Sequence, residues 1–154
     1  MTARLLDGSA TAAAMRAQVA RDANEVAEAL GHPPCLATVI APGDPSSAAY
    51  ARAIGKACAR VGVESRLEPL PDGGTDLDLV ACLHRLNQDE RVHGVIVQMP
   101  LPHTYDSVLV GETLAPGKDV DGVTPYSVGL LALGRPRFVP ATPLGGIEIG
   151  RAHV

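Results

Sequence analysis

Apolar residues recur along the first two thirds of the chain in two patterns, and these patterns separate helices from strands. Between residues 12 and 30 they stand three and four positions apart, which indicates one face of a helix. The continuous apolar stretch 35–40 contains several β-branched residues and predicts a buried strand. These two elements begin an alternation of helix and strand that continues to residue 97.

The alternation is carried on by four further predicted elements, which are a helix at 46–60, a strand at 63–68, a helix at 75–86 and a strand at 94–97. Ser46 or Ser47 is expected to cap the first of these helices. The strand at 63–68 alternates between apolar and polar residues, which is typical of a sheet edge. The strand at 94–97 is apolar throughout, which predicts a central position.

Short strands joined by helices require right-handed crossovers and therefore a parallel sheet. We expect an α/β fold, in the form of a three-layer α/β/α domain with a small, mainly parallel sheet. The part of the chain after residue 103 is richer in Gly and Pro, and short helices are predicted near 106–114, 128–133 and 144–149.

The composition excludes several classes of protein. The chain has 154 residues, of which 46% are hydrophobic and 19% charged, and this balance disfavours disorder. The net charge of -4 argues against a nucleic-acid partner, because phosphates need clustered cations. The chain lacks both an apolar run near ~20 residues and a signal peptide, so we expect no membrane association and a cytoplasmic location. Three cysteines and five histidines show no metal-ligand spacing, so no metal is expected.

The chemistry is expected beyond the carboxyl ends of the strands, where ligands bind in open parallel sheets. Three loops reach that edge, at 43–50, 70–75 and 98–102. Gln98 ends a predicted buried strand, where it can donate and accept hydrogen bonds. Gln98 fits equally well as a polar residue that ends the strand and has no functional role.

Two further features are open to a functional and a structural interpretation. Tyr50 and Ile54 are four residues apart, so they project from the same face of a helix. The tyrosine could stack on a flat ligand or fill a groove. Asp119 and Asp121 lie in a loop bounded by glycines, which fits an Asx-type turn or a carboxylate that binds an amidine-like edge. No Gly-x-Gly-x-x-Gly occurs, so the chain itself offers no phosphate loop for a dinucleotide.

Separated segments of the chain together resemble one enzyme family. They are Gly43-Asp44-Pro45-Ser46-x3-Tyr50, Gly94-Val95-Ile96-Val97-Gln98-Met99-Pro100-Leu101-Pro102, Lys118-Asp119-Val120-Asp121-Gly122 and Thr142-Pro143-x-Gly145. The chain is similar to the N-terminal, catalytic domain of methylenetetrahydrofolate dehydrogenase/methenyltetrahydrofolate cyclohydrolase. This resemblance covers nearly the whole chain.

The resemblance implies a one-carbon-metabolism enzyme with a cleft for a tetrahydrofolate derivative. Tyr50 would stack on the ligand, Asp121 would hold the polar edge of the pterin, and Gln98 would neighbour the reacting one-carbon unit. The remaining substrate-binding positions that it implies are Ile54, Pro100, Leu101, Gly122 and Val123. It further implies NADP as cofactor, bound by a following Rossmann domain rather than by this chain, and a homodimer.

One departure from the family concerns the expected activity. The family has a lysine four residues after the tyrosine, which orders the reacting water and transfers its protons. Ile54 stands there in this chain and cannot titrate. Lys56 lies roughly 200° around the helix and is not expected to replace the lysine. Hydrolysis of 5,10-methenyltetrahydrofolate is therefore expected to be impaired.

The second departure is length. We expect residues 1–149 to form the folate-binding domain and residues 150–154 to begin an absent NADP-binding Rossmann domain, without which 5,10-methylenetetrahydrofolate cannot be oxidised by this chain. Two alternatives stay open. The chain could be a non-catalytic folate-binding or subunit-interaction module, or a degenerate fragment.

Overall fold

The computed structural model describes residues 6–152, and a three-stranded parallel sheet lies at its centre. In chain order the elements are α1 (Ser9–Leu30), β1 (Cys35–Ile40), α2 (Pro45–Arg60), β2 (Glu64–Pro69), α3 (Asp76–Gln88), β3 (Gly94–Val97), α4 (Val108–Thr113), α5 (Pro125–Ala132) and α6 (Ala141–Arg151). The strands lie in the order β2-β1-β3. The predicted α/β fold with a small parallel sheet is confirmed.

The position of β3 differs from the prediction. β1 is the central strand, whereas β2 and β3 lie at the two edges. The outer edge of β3 is covered by an irregular segment, because Val95 forms a parallel bridge with Asp119 and its amide donates to the carbonyl of Lys118 at 2.8 Å. A Cβ on Gly94 would approach Val120 to 2.6 Å, so glycine permits this close contact. This cover explains why an edge strand is as apolar as a central one.

The start of α2 is capped by a residue that precedes the two serines predicted for this role. Asp44, not Ser46 or Ser47, is the N-cap. Its carboxylate accepts hydrogen bonds from the amides of Ser46 and Ser47, each at 3.0 Å, and from the Ser47 hydroxyl at 2.6 Å. Pro45 occupies the first turn, where its missing N–H costs nothing.

The hydrophobic core fills the space between one face of the sheet and α3. Residues that alternate along β1 and β3 point to this face, and the α3 side contributes Leu79, Leu83 and Leu86, all fully buried. Tyr105 is the aromatic residue of this core, and its hydroxyl donates to the carbonyl of Pro71 at 3.0 Å. The core is therefore built mainly from small aliphatic side chains.

Shortening a core leucine tests this packing. We expect Leu83→Ala to lower the free energy of unfolding by about 2–5 kcal/mol, because Leu83 is fully buried and its loss leaves a cavity. Leu77→Ala is the matched control on the same helix, since Leu77 is 80% exposed and its removal should change stability by less than about 0.5 kcal/mol. Urea unfolding measures both. Equal effects of the two substitutions would contradict the described core.

Candidate functional site

A cleft opens at the carboxyl edge of the sheet between the loops that follow β1 and β3. Its volume is about 400 Å³, and it is lined by Ala41, Pro42, Gly43, Asp44, Ser47, Gln98, Pro100, Leu101 and Pro102. We call it the carboxyl-edge cleft. It brings together three of the predicted site residues, namely Gln98, Pro100 and Leu101. It also contains Asp44 and Ser47, which the sequence analysis did not select, although an Asp before Pro-Ser-Ser is a recognisable helix-capping signal.

Gln98 is held at the end of β3 by its own backbone. Its amide donates to the carbonyl of Val39 at 2.9 Å, which continues the sheet pattern one residue beyond the strand. The side-chain nitrogen Nε2 donates to the carbonyl of Met99 at 3.1 Å. The following Met99–Pro100 peptide bond is cis. The half-buried carboxamide is therefore fixed at the wall of the carboxyl-edge cleft.

Tyr50 and Ile54 lie on the flank of α2 that is turned toward β3, as the geometry of the helix shows. The opposite flank faces β2, because Arg52 and Gly55 share a groove there with Ser65. At about 100° per residue, Tyr50 and Ile54 point away from that groove and toward the β3 side of the helix. Tyr50 is 58% exposed, and Ile54 is half-buried.

Lys56 is exposed on α2. It lies roughly 200° around α2 from Ile54, on the side of the helix away from the sheet. The ammonium group therefore does not face the flank that carries Tyr50.

The two aspartates of the segment 118–122 have different environments. Asp119 is fully buried, and its carboxylate accepts hydrogen bonds from the amides of Val123 at 3.0 Å and Thr124 at 2.9 Å and from the Thr124 hydroxyl at 2.7 Å. Thr124 in turn caps α5. Asp119 thus takes the structural role of an Asx-type turn, whereas Asp121 is half-buried and accepts no hydrogen bond from the described residues.

Hydrogen bonding sets the charge of Asp119. Burial alone would raise the pKa of this carboxyl group, but the hydroxyls of Ser127 and Thr124 and the amides of Thr124 and Val123 outweigh it and hold the pKa below its ordinary value. The carboxylate is therefore ionised in the folded protein at neutral pH.

Lys118 fastens the same segment to the end of α3. Its Nζ donates to the carbonyls of Leu86 and Asp89, each at 2.7 Å, and burial lowers the pKa of the ammonium group. The bridge between Val95 and Asp119 adds a third attachment. Asp121 lies two residues after this bridge, in a turn that the hydrogen bond from the Gly122 amide to the Asp119 carbonyl closes at 3.2 Å.

The last of the predicted wall residues lies in a neighbouring cavity. Val123 is 46% exposed and lines a cavity of about 310 Å³ together with Met99. Met99 follows Gln98 directly, so the loop after β3 separates the carboxyl-edge cleft from this second cavity. Gly122 has a φ of 68°, which favours glycine at the turn between Asp121 and Val123.

The two helix N-termini that follow β1 and β2, those of α2 and α3, do not fit a dinucleotide. A pyrophosphate group needs free amides at a helix N-terminus, usually in a glycine-rich loop. At α2 these amides already donate to Asp44, and at α3 a capping box joins Thr75 to Asp78. Within residues 6–152 we also find no group of three metal-ligating side chains.

The fold and the site define an α/β domain with a cleft at the carboxyl edge of a parallel sheet, the edge where ligands bind in open α/β folds. Residues 6–121 match the model of the family described as tetrahydrofolate dehydrogenase/cyclohydrolase, catalytic domain. The chain belongs to this family. The predicted resemblance is therefore confirmed.

Individual relatives agree with this assignment. Bifunctional protein FolD of Bradyrhizobium sp. is 42% identical over 151 residues, which cover 98% of this chain and 51% of the relative. The protein of the same name from Polaromonas sp. is 45% identical over 149 residues, 97% of this chain and 53% of the relative. The chain thus spans about half the length of the curated relatives it matches.

Solved structures show the same fold. The bifunctional enzyme FolD, methylenetetrahydrofolate dehydrogenase/cyclohydrolase, from Campylobacter jejuni superposes with a TM-score of 0.90 at 36% identity, over 97% of this chain and 53% of that one. The Trypanosoma brucei enzyme, solved with NADP cofactor and inhibitor, gives a TM-score of 0.91 at 31% identity, over 99% of this chain and 53% of that one.

None of the helices in the described residues has the length and apolarity that a membrane span needs.

Removing the charge of Asp119 tests the attachment of the 118–124 segment. We expect Asp119→Asn to lower the free energy of unfolding at neutral pH by about 1.5–3 kcal/mol, because charge-assisted hydrogen bonds inside the protein are lost. Asp121→Asn is the matched control and should cost less than about 0.5 kcal/mol.

The pH dependence follows from the lowered pKa of Asp119. A carboxyl group with a lowered pKa in the folded state stabilises it above the ordinary carboxyl pKa, and this contribution disappears as the pH falls through the lowered value. Urea unfolding of the wild type and of Asp119→Asn should therefore differ most at neutral pH and converge in acid. A difference that persists unchanged in acid would show that the charge of Asp119 is not the cause.

Proposed function

We propose that this chain is the folate-binding half of a one-carbon-metabolism enzyme. The observation that carries the proposal is that, in a chain of this family, Gln98 lines a cleft at the carboxyl edge of the sheet and the segment 118–122 is attached to the strand that Gln98 follows. The ligand is a tetrahydrofolate derivative. We place the domain at residues 1–149, and α6 continues across that limit to Arg151.

Each polar group has a role that its chemistry allows. Tyr50 stacks its exposed ring on the flat part of the ligand. The carboxylate of Asp121, which has no partner among the described residues, pairs with the adjacent N–H donors of the pterin edge. The carboxamide of Gln98 lies at the one-carbon unit. Pro100, Leu101 and Val123 form the apolar walls, and the turn at Gly122 connects Asp121 to Val123.

The same site binds its folate ligand but does not hydrolyse it efficiently. Hydrolysis of 5,10-methenyltetrahydrofolate needs a group that orders water and transfers protons, and the family uses a lysine at the position of Ile54. An isoleucine side chain can do neither, and Lys56 faces the other side of α2. The loss of a general acid or base lowers a rate by about 10²–10⁴-fold.

Oxidation of 5,10-methylenetetrahydrofolate uses NADP as hydride acceptor. NADP is present in the solved Trypanosoma brucei relative. We propose the same cofactor here, held by a Rossmann domain outside the described residues, and a homodimeric assembly in the cytoplasm. The helix N-termini of α2 and α3 are already capped and offer this cofactor no phosphate site.

A second candidate, a subunit-interaction module, is favoured by one surface. Met15, Val19, Val26 and Leu30 are each 40–47% exposed and fall within about 60° around α1. An apolar stripe of this kind on the longest helix is typical of a contact surface. This candidate and folate binding are compatible in one protein.

Titration calorimetry with tetrahydrofolate tests the binding proposal. We expect the wild type to bind and Asp121→Asn to bind roughly 10- to 100-fold more weakly, because a charge-assisted pair of hydrogen bonds is lost. Glu25→Gln, an exposed change on α1, is the charge-matched control and should leave the affinity unchanged. Absence of binding by the wild type would contradict the proposal.

Restoring the family lysine tests the account of hydrolysis. We expect Ile54→Lys to hydrolyse 5,10-methenyltetrahydrofolate about 10²–10⁴-fold faster than the wild type, since it restores a group that can transfer protons. Ala49→Lys adds the same charge to an exposed position of α2 and should have no effect. A wild-type rate equal to that of Ile54→Lys would contradict the proposal that the isoleucine at position 54 impairs hydrolysis.

A further inference from the structure

A second concave surface lies on the flank of α2 opposite to the one that carries Tyr50 and Ile54. It is a groove of about 380 Å³ between α2 and β2, and we call it the α2–β2 groove. Small residues on the helix leave this space open, because Ala51 and Gly55 stand one turn apart and both line it. A Cβ on Gly55 would approach the Ser65 hydroxyl oxygen only to 3.7 Å, so the helix and the strand are not tightly packed here.

The groove contains a buried hydroxyl group without a partner. Thr38 is 1% exposed and lines the groove from the central strand β1. Its side chain points toward α2, because its neighbours Ala37 and Val39 belong to the core on the other face of the sheet. Its Oγ1 is buried and finds no hydrogen-bond partner among the described residues. Such a group costs free energy, which a partner in the groove would recover.

The rim of the groove carries an unpaired positive charge. Arg52 lines the groove, and its guanidinium group forms no ion pair with the residues that the structure describes. The carboxylates of β2 do not balance this charge. Glu68 lies on the other face of the sheet, where it pairs with Arg85 of α3 at 2.7 Å, and the alternation along the strand places Glu64 on that same face. The groove therefore attracts an anion.

The rest of the lining favours an organic anion over an inorganic one. Leu67 pairs with Thr38 in the register of β1 and β2, lines the groove and is 58% exposed. The half-buried Val63 extends this apolar surface toward the start of β2. Covering such surface with an apolar group is favourable, and a bare anion cannot provide that group.

We propose that the α2–β2 groove is a second small-molecule site, which binds an organic monocarboxylate with a compact apolar body. The carboxylate accepts hydrogen bonds from the Arg52 guanidinium group and from the Thr38 hydroxyl, and the apolar body covers Leu67 and Val63. The site lies on the opposite flank of α2 from Tyr50. It therefore goes beyond the proposed function and does not depend on it.

Titration with 4-phenylbutyrate, followed by proton–nitrogen NMR correlation spectra, tests this proposal. We expect saturable shifts of the amide signals of Ala51, Gly55 and Ser65, whereas those of Gly43 and Gln98 at the carboxyl-edge cleft stay unchanged. Two further probes separate charge from apolar contact. The neutral 4-phenylbutanamide should bind roughly 3- to 10-fold more weakly, because it loses the charge-assisted hydrogen bond. Inorganic phosphate should cause no saturable shift, and added salt should weaken the binding of 4-phenylbutyrate.

Two variants remove the proposed hydrogen-bond donors. Arg52→Gln should weaken the binding of 4-phenylbutyrate roughly 3- to 10-fold and leave that of the amide unchanged. Arg60→Gln is the matched control, since Arg60 is an exposed residue of the same helix outside the groove. Thr38→Val keeps the shape of the side chain and removes its hydroxyl. It should weaken the probe roughly 3- to 10-fold and raise the urea midpoint of the free protein, because a buried unpaired group is lost.

Filling the groove gives an independent test. Gly55→Leu places a side chain in the space that the probe would occupy and should abolish the shifts of Ala51 and Ser65. Gly129→Leu is the matched control, because Gly129 is exposed on α5 and a Cβ there has no neighbour within 4 Å. Both helices should be retained, since leucine is a better helix former than glycine.

The outcomes decide the proposal without reference to folate. Saturable shifts at the groove that Arg52→Gln weakens and Arg60→Gln leaves intact support it. The proposal is overturned if no saturable shift occurs, if the shifts are confined to Gly43 and Gln98, or if Arg52→Gln or Thr38→Val binds the probe as tightly as the wild type. Urea unfolding checks that each variant is folded, and if Thr38→Val is not, the three probes and Arg52→Gln decide.

Discussion

The site depends on one buried carboxylate. Asp119 joins the irregular segment 118–124 to the start of α5, while the backbone of the same residue pairs with Val95 on β3. Lys118 ties the segment to the last turn of α3. These attachments hold the turn that carries Asp121, so the buried Asp119 decides where the half-buried Asp121 lies.

Proton transfer and ligand binding depend on different side chains in this proposal. Ile54 is half-buried and cannot titrate, so we propose a site that binds its ligand without efficient hydrolysis. Asp44 is the charged side chain that lines the carboxyl-edge cleft, and its carboxylate also caps α2.

Part of the fold and of the site could be predicted from residue patterns alone. The order of helices and strands, the edge position of β2 and the loop that carries Gln98 are local consequences of periodicity and turn residues. The central position predicted for β3 was wrong, because an apolar strand can be covered by an irregular segment as well as by a strand. The cap of α2 was misplaced by two or three residues, since Asp, Ser and Asn compete for the same role.

By itself the sequence determined the fold class, the family, and the absence of a titratable side chain at position 54, because each is a property of residue types and their spacing. Only the tertiary structure decided that Asp119 is buried and that Asp44 and Gln98 line one cleft. Burial and charge balance depend on which distant segments meet. Two carboxylates separated by a single valine therefore acquire different environments only after folding.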